Sequence, residues 1–321
     1  MIQIGDQLDH FVITGYLAQG GMSEIYRAYD QVSRKEVVVK VPNQQMIGDP
    51  AQFERFQREM EVLSTLDHPA ILRGVGSGRY NRIPYLATEY IEGQSLRDLM
   101  DAGPLRPETA LELILKIARG LAYCHAQGVI HRDLKPENIF VLENGQPVIL
   151  DFGLALTKKA HRVTYSNLSA AMGTPDYMSP EQFEGLRGDA RTDIYALGTI
   201  GFEMLTGRLP FTGDTQMAVM NQHLNGQAPR PDLLNPQINR FFSAILLKCL
   251  ARQPEERHAD MNALIAALEH PEQADLSILA SAGRAAGPAN RQGLSTLKYV
   301  GIALLILALV AGLALALQAV R

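Results

Sequence analysis

Residues 131–138 read His131-Arg132-Asp133-Leu134-Lys135-Pro136-Glu137-Asn138. A carboxylate, an ammonium, a guanidinium and a carboxamide stand together between two apolar runs, too dense in polar groups for a core and too ordered for a linker. The stretch reads as a reactive loop. Thirteen residues past Asn138 comes Asp151-Phe152-Gly153, preceded by Val148-Ile149-Leu150, an apolar run that suits a buried strand.

The elements that must hold these groups follow from the residues between them. Ile139-Phe140-Val141-Leu142 and Pro147-Val148-Ile149-Leu150 flank Glu143-Asn144-Gly145-Gln146, and Asn-Gly between apolar runs is a strong hairpin signal. With Asn144 and Gly145 as the two central turn residues, 142 pairs with 147, 139 with 150 and 138 with 151. Opposed residues project to the same side of a sheet about 5 Å apart. Asn138 and Asp151 then form an oxygen-rich site suited to Mg²⁺, a hard cation that takes one or two carboxylates together with substrate phosphates. The bland alternative is a polar pair closing a surface hairpin.

Further upstream, residues 8–42 alternate like strands around Leu17-Ala18-Gln19-Gly20-Gly21-Met22-Ser23-Glu24-Ile25. Glycines between strands let backbone N–H groups approach an anion, which suits a phosphate-covering loop. Lys40 interrupts the apolar run 37–41, and a lone ammonium there is expensive to bury. Its partner is found in the helix expected over 51–66, where Phe56, Glu59, Leu63 and Leu66 share a face and Glu59 breaks the apolar stripe. Lys40 and Glu59 therefore explain each other as a buried pair beside a phosphate loop.

Two short strands are expected near 71–77 and 83–89, then a hinge at Glu89-Tyr90-Ile91-Glu92-Gly93-Gln94 and a helix starting at Pro107 and ending before Gly128. Residues 154–172 form a long polar segment with little periodicity, of the kind that is usually functional or disordered. Beyond it, helices are expected over 193–204, 214–225, 238–251 and 259–269.

The bulk numbers bound the possibilities. At 321 residues, 46% hydrophobic and 20% charged, the chain can build one large domain or two lobes. A net charge of −4 offers no electrostatic case for nucleic acid. Cys124 and Cys249 sit in separate apolar helical patterns, which suits two buried free thiols in a reducing compartment. No signal-peptide pattern opens the sequence. From Tyr299 to Leu317 there is no charged residue, the length of a bilayer-spanning helix. Arg284, Arg291 and Lys298 precede it, so the long N-terminal part is expected on the cytoplasmic side.

With these pieces in this order, residues 8–268 resemble the eukaryotic-type serine/threonine protein kinases, most closely the membrane-anchored ones of bacteria. The glycine-loop pattern of that family falls on Ala18, Gly20, Ser23 and Ile25, its strand lysine on Lys40 and its helix glutamate on Glu59. Its catalytic loop falls on 131–138, its magnesium triplet on Asp151-Phe152-Gly153 and the end of its activation segment on Ser179-Pro180-Glu181.

The resemblance implies an α+β bilobal fold: an N-lobe over 1–90, a helical C-lobe over 91–270, a juxtamembrane linker over 271–297 and a transmembrane helix over 298–320. It implies ATP as phosphate donor, with Mg²⁺, or Mn²⁺ in its place, at Asn138 and Asp151. Asp133, Lys135, Lys40 and Glu59 take the catalytic roles: Asp133 accepts the substrate hydroxyl proton, Lys135 touches the transferring phosphate and Lys40, paired to Glu59, orients the α- and β-phosphates. Leu17, Gly20, Gly21, Ser23, Ile25, Val38, Thr88, Glu89, Ile91 and Phe140 line the nucleotide site, with Thr88 resembling the gatekeeper. Thr174 lines the acceptor site. Asp193 resembles the residue that fixes the catalytic-loop backbone, and Arg257 the partner of Glu181. Lys135, two residues past Asp133, suits the Ser/Thr class.

Three positions depart from the family pattern. Ala18 and Ser23 replace glycines and Val38 replaces a smaller residue, which predicts altered ATP affinity before lost chemistry. Arg132 before Asp133 accompanies control by activation-loop phosphorylation, expected among Thr157, Thr164, Ser166 and Ser169, with Thr164 favoured. The function implied is transfer of the ATP γ-phosphate to Ser/Thr of cytoplasmic proteins by a single-pass protein of the bacterial inner membrane. Small residues Gly301, Ala308, Ala311 and Gly312 would allow a homodimer. A membrane-tethered pseudokinase scaffold is the alternative, supported only by Ala18 and Val38. Small-molecule phosphorylation is disfavoured by the complete activation segment.

Overall fold

A computed structural model describes residues 2–19, 23–155 and 175–282. The N-terminal lobe opens with β1 (Gln7–Leu8), β2 (Phe11–Gln19), β3 (Ser23–Asp30) and β4 (Lys35–Pro42). Next come α1 (Gln44–Gly48), α2 (Pro50–Leu63), β5 (Gly74–Tyr80) and β6 (Ile83–Glu89). Asp49 caps α2 by accepting from the Ala51 and Gln52 amides, and Pro50 takes the first helical position, where its missing N–H is not needed.

Six antiparallel strands form one sheet in the order β1-β2-β3-β4-β6-β5. Alternation gives the sheet two faces. Tyr26, Ala28, Val37, Val39, Val41, Tyr85 and Ala87 share one buried cluster with Phe11 and Ile13. The cross-strand pairs Ile25↔Lys40, Lys40↔Leu86 and Val38↔Thr88 put the other set on the opposite face.

The C-terminal lobe begins with β7 (Gly93–Ser95), α3 (Leu96–Asp101) and α4 (Pro107–Ala126), and continues through β8 (Ile139–Leu142) and β9 (Pro147–Ile149). Helices α5 (Pro180–Phe183), α6 (Ala190–Thr206), α7 (Gln216–Asn225), α8 (Pro231–Leu234), α9 (Arg240–Cys249), α10 (Met261–Glu269) and α11 (Ile278–Ser281) complete it. One core cluster runs from Phe56 and Leu63 of α2 through Ile117 of α4, Ile200 of α6, Leu246 of α9 and Leu264 of α10. Helix α6 is buried nearly all round. At Gly198 it approaches α9 so closely that an added Cβ would clash with the Cβ of Cys249.

The expected helices appear, with ends moved by a few residues. Of the residues whose spacing marks an inward stripe on α4, Ile114, Ala118 and Leu121 are buried, together with Ala110, Leu113, Ile117 and Cys124, while Leu111, Leu115 and Ala122 are half-buried at its edge. Helix α4 lies between neighbours on two sides, so its apolar arc is wide and its centre cannot be placed by spacing alone. Cys124 and Cys249 are free and buried as expected, and burial pushes both thiols up to about 12. Among the described residues no helix is long and apolar enough to cross a membrane. The apolar run at 298–320 lies outside them, as do Gly20, Gly21, Thr157, Thr164, Ser166, Ser169 and Thr174.

Candidate active site

The inner face of the N-terminal sheet carries one wall of the site. Lys40 Nζ donates to Glu59 Oε2 at 2.7 Å, which ties β4 to α2. Burial works against the Lys40 ammonium, but Glu59 and Asp151 together outweigh it and hold its pKa above the ordinary lysine value. Val38 and Ile25 flank Lys40 on this face, with Thr88 beside Val38 on β6 and buried. Ser23 is buried at the start of β3, whereas Leu17 on β2 is exposed. Glu89 ends β6, and both it and Ile91 are half-buried in the segment joining the lobes. Phe140 sits on β8, paired with Ser95 and Val148.

The other wall is the catalytic-loop segment. Its polar density reads as too high for a core, yet His131 is fully buried and Asn138, Leu134 and Pro136 are buried too. Burial is tolerated because the polar atoms are satisfied. His131 Nδ1 accepts from the Asp133 amide at 3.3 Å, leaving the Nε2 proton to bond Leu150 O at 2.9 Å. Arg132 has φ 69°, a left-handed conformation unusual for a side chain of its size. Asp193, at the start of α6, holds it there: its carboxylate accepts from the Arg132 amide at 2.8 Å and the His131 amide at 2.9 Å. Gln182 Nε2 donates to Arg132 O at 2.9 Å from the far side. The result presents Asp133, two-thirds buried, with Lys135 Nζ 3.1 Å and Asn138 Nδ2 3.3 Å from Oδ2.

Asn138 and Asp151 are not cross-strand partners. The hairpin pairs 141 with 147, 140 with 148 and 139 with 149, one residue out of the expected register, and the Leu150 amide donates to Asn138 O. Its loop has three residues instead of two. The Leu142 amide donates to Gln146 O at 3.0 Å, Leu142 O accepts from the Gly145 amide at 2.9 Å, and Gly145 adopts φ 75°, the geometry of a turn closed by a left-handed glycine.

Two other devices place the polar pair. Asn138 ends a single 3-10 turn and donates to Asp133 O at 2.9 Å. Asp151 turns into the site through its own left-handed backbone, φ 53°, and accepts from the Gly153 amide at 3.1 Å. Burial raises the Asp151 pKa, but Lys40, the Gly153 amide, His131 and Lys135 outweigh it and hold the carboxyl below its ordinary value. The donor set fits Mg²⁺: a charged carboxylate and a carboxamide whose nitrogen is engaged elsewhere, leaving its oxygen as the ligand.

Behind the loop, Arg257 makes a two-pronged bond to Glu181, Nη1 to Oε1 at 2.8 Å and Nη2 to Oε2 at 2.7 Å. Sequence reasoning missed a second cluster, near the other end of α6. Arg97 on α3 reaches Glu203 on α6 at 3.0 Å, Tyr177 at 2.7 Å and Glu137 at 3.3 Å. A signal existed: Glu203 interrupts an apolar helical run just as Glu59 does, and a carboxylate in that position needs a cation.

The sequence matches the protein kinase domain family over residues 11–271. The chain belongs to the protein kinase family. This kinase domain is 38% identical over 247 residues to a probable serine/threonine-protein kinase of Streptomyces coelicolor, covering 75% of the chain and 37% of that protein. It is 35% identical over 301 residues to the serine/threonine-protein kinase PknB of Mycolicibacterium smegmatis, covering 90% of the chain and 48% of PknB. A third relative, the serine/threonine-protein kinase pkn2 of Myxococcus xanthus, is 37% identical over 262 residues, or 78% of the chain and 31% of pkn2. The kinase chain thus spans less than half the length of these relatives.

Proposed function

We propose that the chain transfers the ATP γ-phosphate to Ser/Thr of cytoplasmic proteins, from a position tethered to the membrane. The observation that carries this reading is the convergence of the Lys40–Glu59 ion pair with Asp151 from the opposite lobe, where their charges shift one another. In this reading Lys40 orients the α- and β-phosphates. Asp133 aligns the acceptor hydroxyl and takes its proton, and Lys135, which bridges to Asp133, contacts the transferring phosphate. Asn138 and Asp151 hold Mg²⁺, whose charge offsets that of the phosphates. Val38, Ile25 and Thr88 share the sheet face on which adenine lies, with Glu89 and Ile91 at its edge and Phe140 below.

Arg132 is pushed down to about 10 by burial and by the neighbouring Arg187 and Arg58, with Asp193 opposing. Three guanidiniums gathered at the catalytic loop favour a phosphate there, which supports autophosphorylation of the segment carrying Thr164, Ser166 and Ser169. The uncharged run within 298–320, with Arg284, Arg291 and Lys298 before it, supports a single span with the kinase domain cytoplasmic.

One experiment on the full chain tests all three. Membranes bearing wild-type protein are incubated with radiolabelled ATP, Mg²⁺ and a Ser/Thr protein acceptor, beside the Asp133→Asn protein. Asp133→Asn should lower acceptor labelling on the order of a hundredfold or more, with wild-type label also mapping within residues 154–172. Equal labelling of the acceptor by both proteins would sink the enzyme reading. An unlabelled 154–172 peptide would remove autophosphorylation, and release of the protein by alkaline carbonate would remove the span.

A further inference from the structure

Arg97 stands at the centre of an acidic cluster beside the catalytic loop. Its guanidinium bonds Glu203 with both Nη groups, at 3.1 and 3.0 Å, donates to Tyr177 at 2.7 Å and to Asp101 at 3.4 Å, and turns Nε toward Glu137 at 3.3 Å. Tyr177 also donates to Glu203. Asp176 is close enough for Glu203 and Glu137 to raise its pKa, after burial, while Arg97 lowers it. One cation therefore serves four carboxylates. These carboxylates are tied to the catalytic loop: Glu137 lies on the same 3-10 turn as Asn138, which bonds Asp133, and Asp176 and Tyr177 share the short turn Pro175–Tyr177.

Glu203 is only 12% exposed. A carboxylate so placed is strongly destabilising without a cation, and the planar guanidinium fork of Arg97 satisfies it from within the chain. We propose that Arg97 is a specificity-determining residue: by occupying the Glu137–Glu203 pair itself, it closes that pair to substrates, so that the enzyme does not select a basic side chain beside the acceptor hydroxyl. The inference rests on the kinase reading and names the class of substrate that reading leaves open. A protein in which the pair lacked Arg97 would take its cation from the substrate.

The test measures kcat/KM for a Ser peptide with neutral flanks and for variants carrying one Arg at each flanking position in turn. A ratio taken on one protein is insensitive to partial loss of fold. Wild type should stay within about threefold across the set. In Arg97→Ala, or in Arg97→Met, which keeps the aliphatic stem and its packing, Arg at one position should raise the ratio about tenfold, equivalent to about 1.4 kcal/mol. Adding Glu203→Gln to either variant should bring it back. Methylguanidinium should suppress the Arg preference in Arg97→Ala and leave wild type unchanged. Ratios unchanged in both Arg97 variants would overturn the proposal. So would a wild-type Arg preference that Glu203→Gln abolishes, because the pair would then be open. Peptide labelling that does not depend on Asp133 would instead overturn the kinase reading on which it rests.

Discussion

Arg257 ties Glu181 on α5 to the start of α6, bonding both its carboxylate and Arg191 O. Arg257 and Glu181 are both buried, the two-pronged bond is short, and Glu181 Oε1 also accepts from Thr192 at 2.9 Å. Burial raises the Glu181 pKa, but Arg257 outweighs it and holds the carboxyl below its ordinary value. Removing one partner leaves a buried charge alone, so Arg257→Leu should lower unfolding stability by about 3 to 5 kcal/mol. Adding Glu181→Leu should recover part of that loss, because two apolar groups avoid the desolvation that a lone carboxylate suffers. Equilibrium denaturation checks both, and additive losses in the double variant would show that the pair is not the coupled unit described. This pair and Lys40–Glu59 were legible in the sequence, one by resemblance and one because an ammonium and a carboxylate each interrupted an apolar pattern. Arg97 was not, since an arginine on a short amphipathic helix looks like any solvated residue until its partners are placed. Asn138 against Asp133 was hidden too, because a side chain bonding five residues back leaves no periodicity.

At the scale of elements, the hairpin of β8 and β9 shows where local rules stop. Asn-Gly correctly marked a hairpin, yet the two-residue loop it favours would shift every pair by one and swap the faces of β8. The observed register is set from outside the hairpin. Ile149 N donates to Ala70 O at 2.9 Å and Leu72 N to Ile149 O at 3.0 Å, so β9 is clamped by the 70–72 segment while β8 is clamped by β7. The glycine then absorbs the difference with φ 75°. Nothing crowds an added Cβ at Gly145, so Gly145→Ala isolates the backbone preference and should lower stability by about 1 to 2 kcal/mol. Asp133 labelling activity at saturating ATP should change little, because Asn138 and Asp151 are oriented by their own bonds and backbone, not by the loop. A Gly145→Ala protein of unchanged stability would show that the loop leaves the left-handed conformation at residue 145 without cost.

For the whole molecule, two buried histidines of the helical lobe make stability depend on pH. His223 lies among Phe183, Tyr195 and Phe211 and takes its one bond from the Tyr195 hydroxyl at 2.7 Å. His258 is buried over α9, 3.4 Å from Ile245 O. Burial lowers both from the ordinary 6.5 to about 4, with Lys248 adding to the effect on His258 against the Ile245 carbonyl. Between those values the unfolded chain binds protons that the folded chain refuses, so unfolding becomes easier as pH falls through the window. Each histidine can contribute about 3 kcal/mol by its lower end. Below about pH 4 the depressed carboxyls of Asp193, Glu181 and Asp151 act in the same direction, since the unfolded chain protonates them first. Glu59 opposes: burial and Asp151 raise its pKa, so the folded chain takes up its proton more readily. Denaturant titrations at fixed ionic strength should therefore show stability steady near neutrality and falling steadily from about pH 6.5 to about pH 4. His223→Gln should be less stable than wild type at pH 7 but flatter across that window, so that the two curves converge on the acid side. A wild-type curve that stays level down to pH 4.5 would mean that water reaches these imidazoles and that the helical lobe is less tightly closed than its packing indicates.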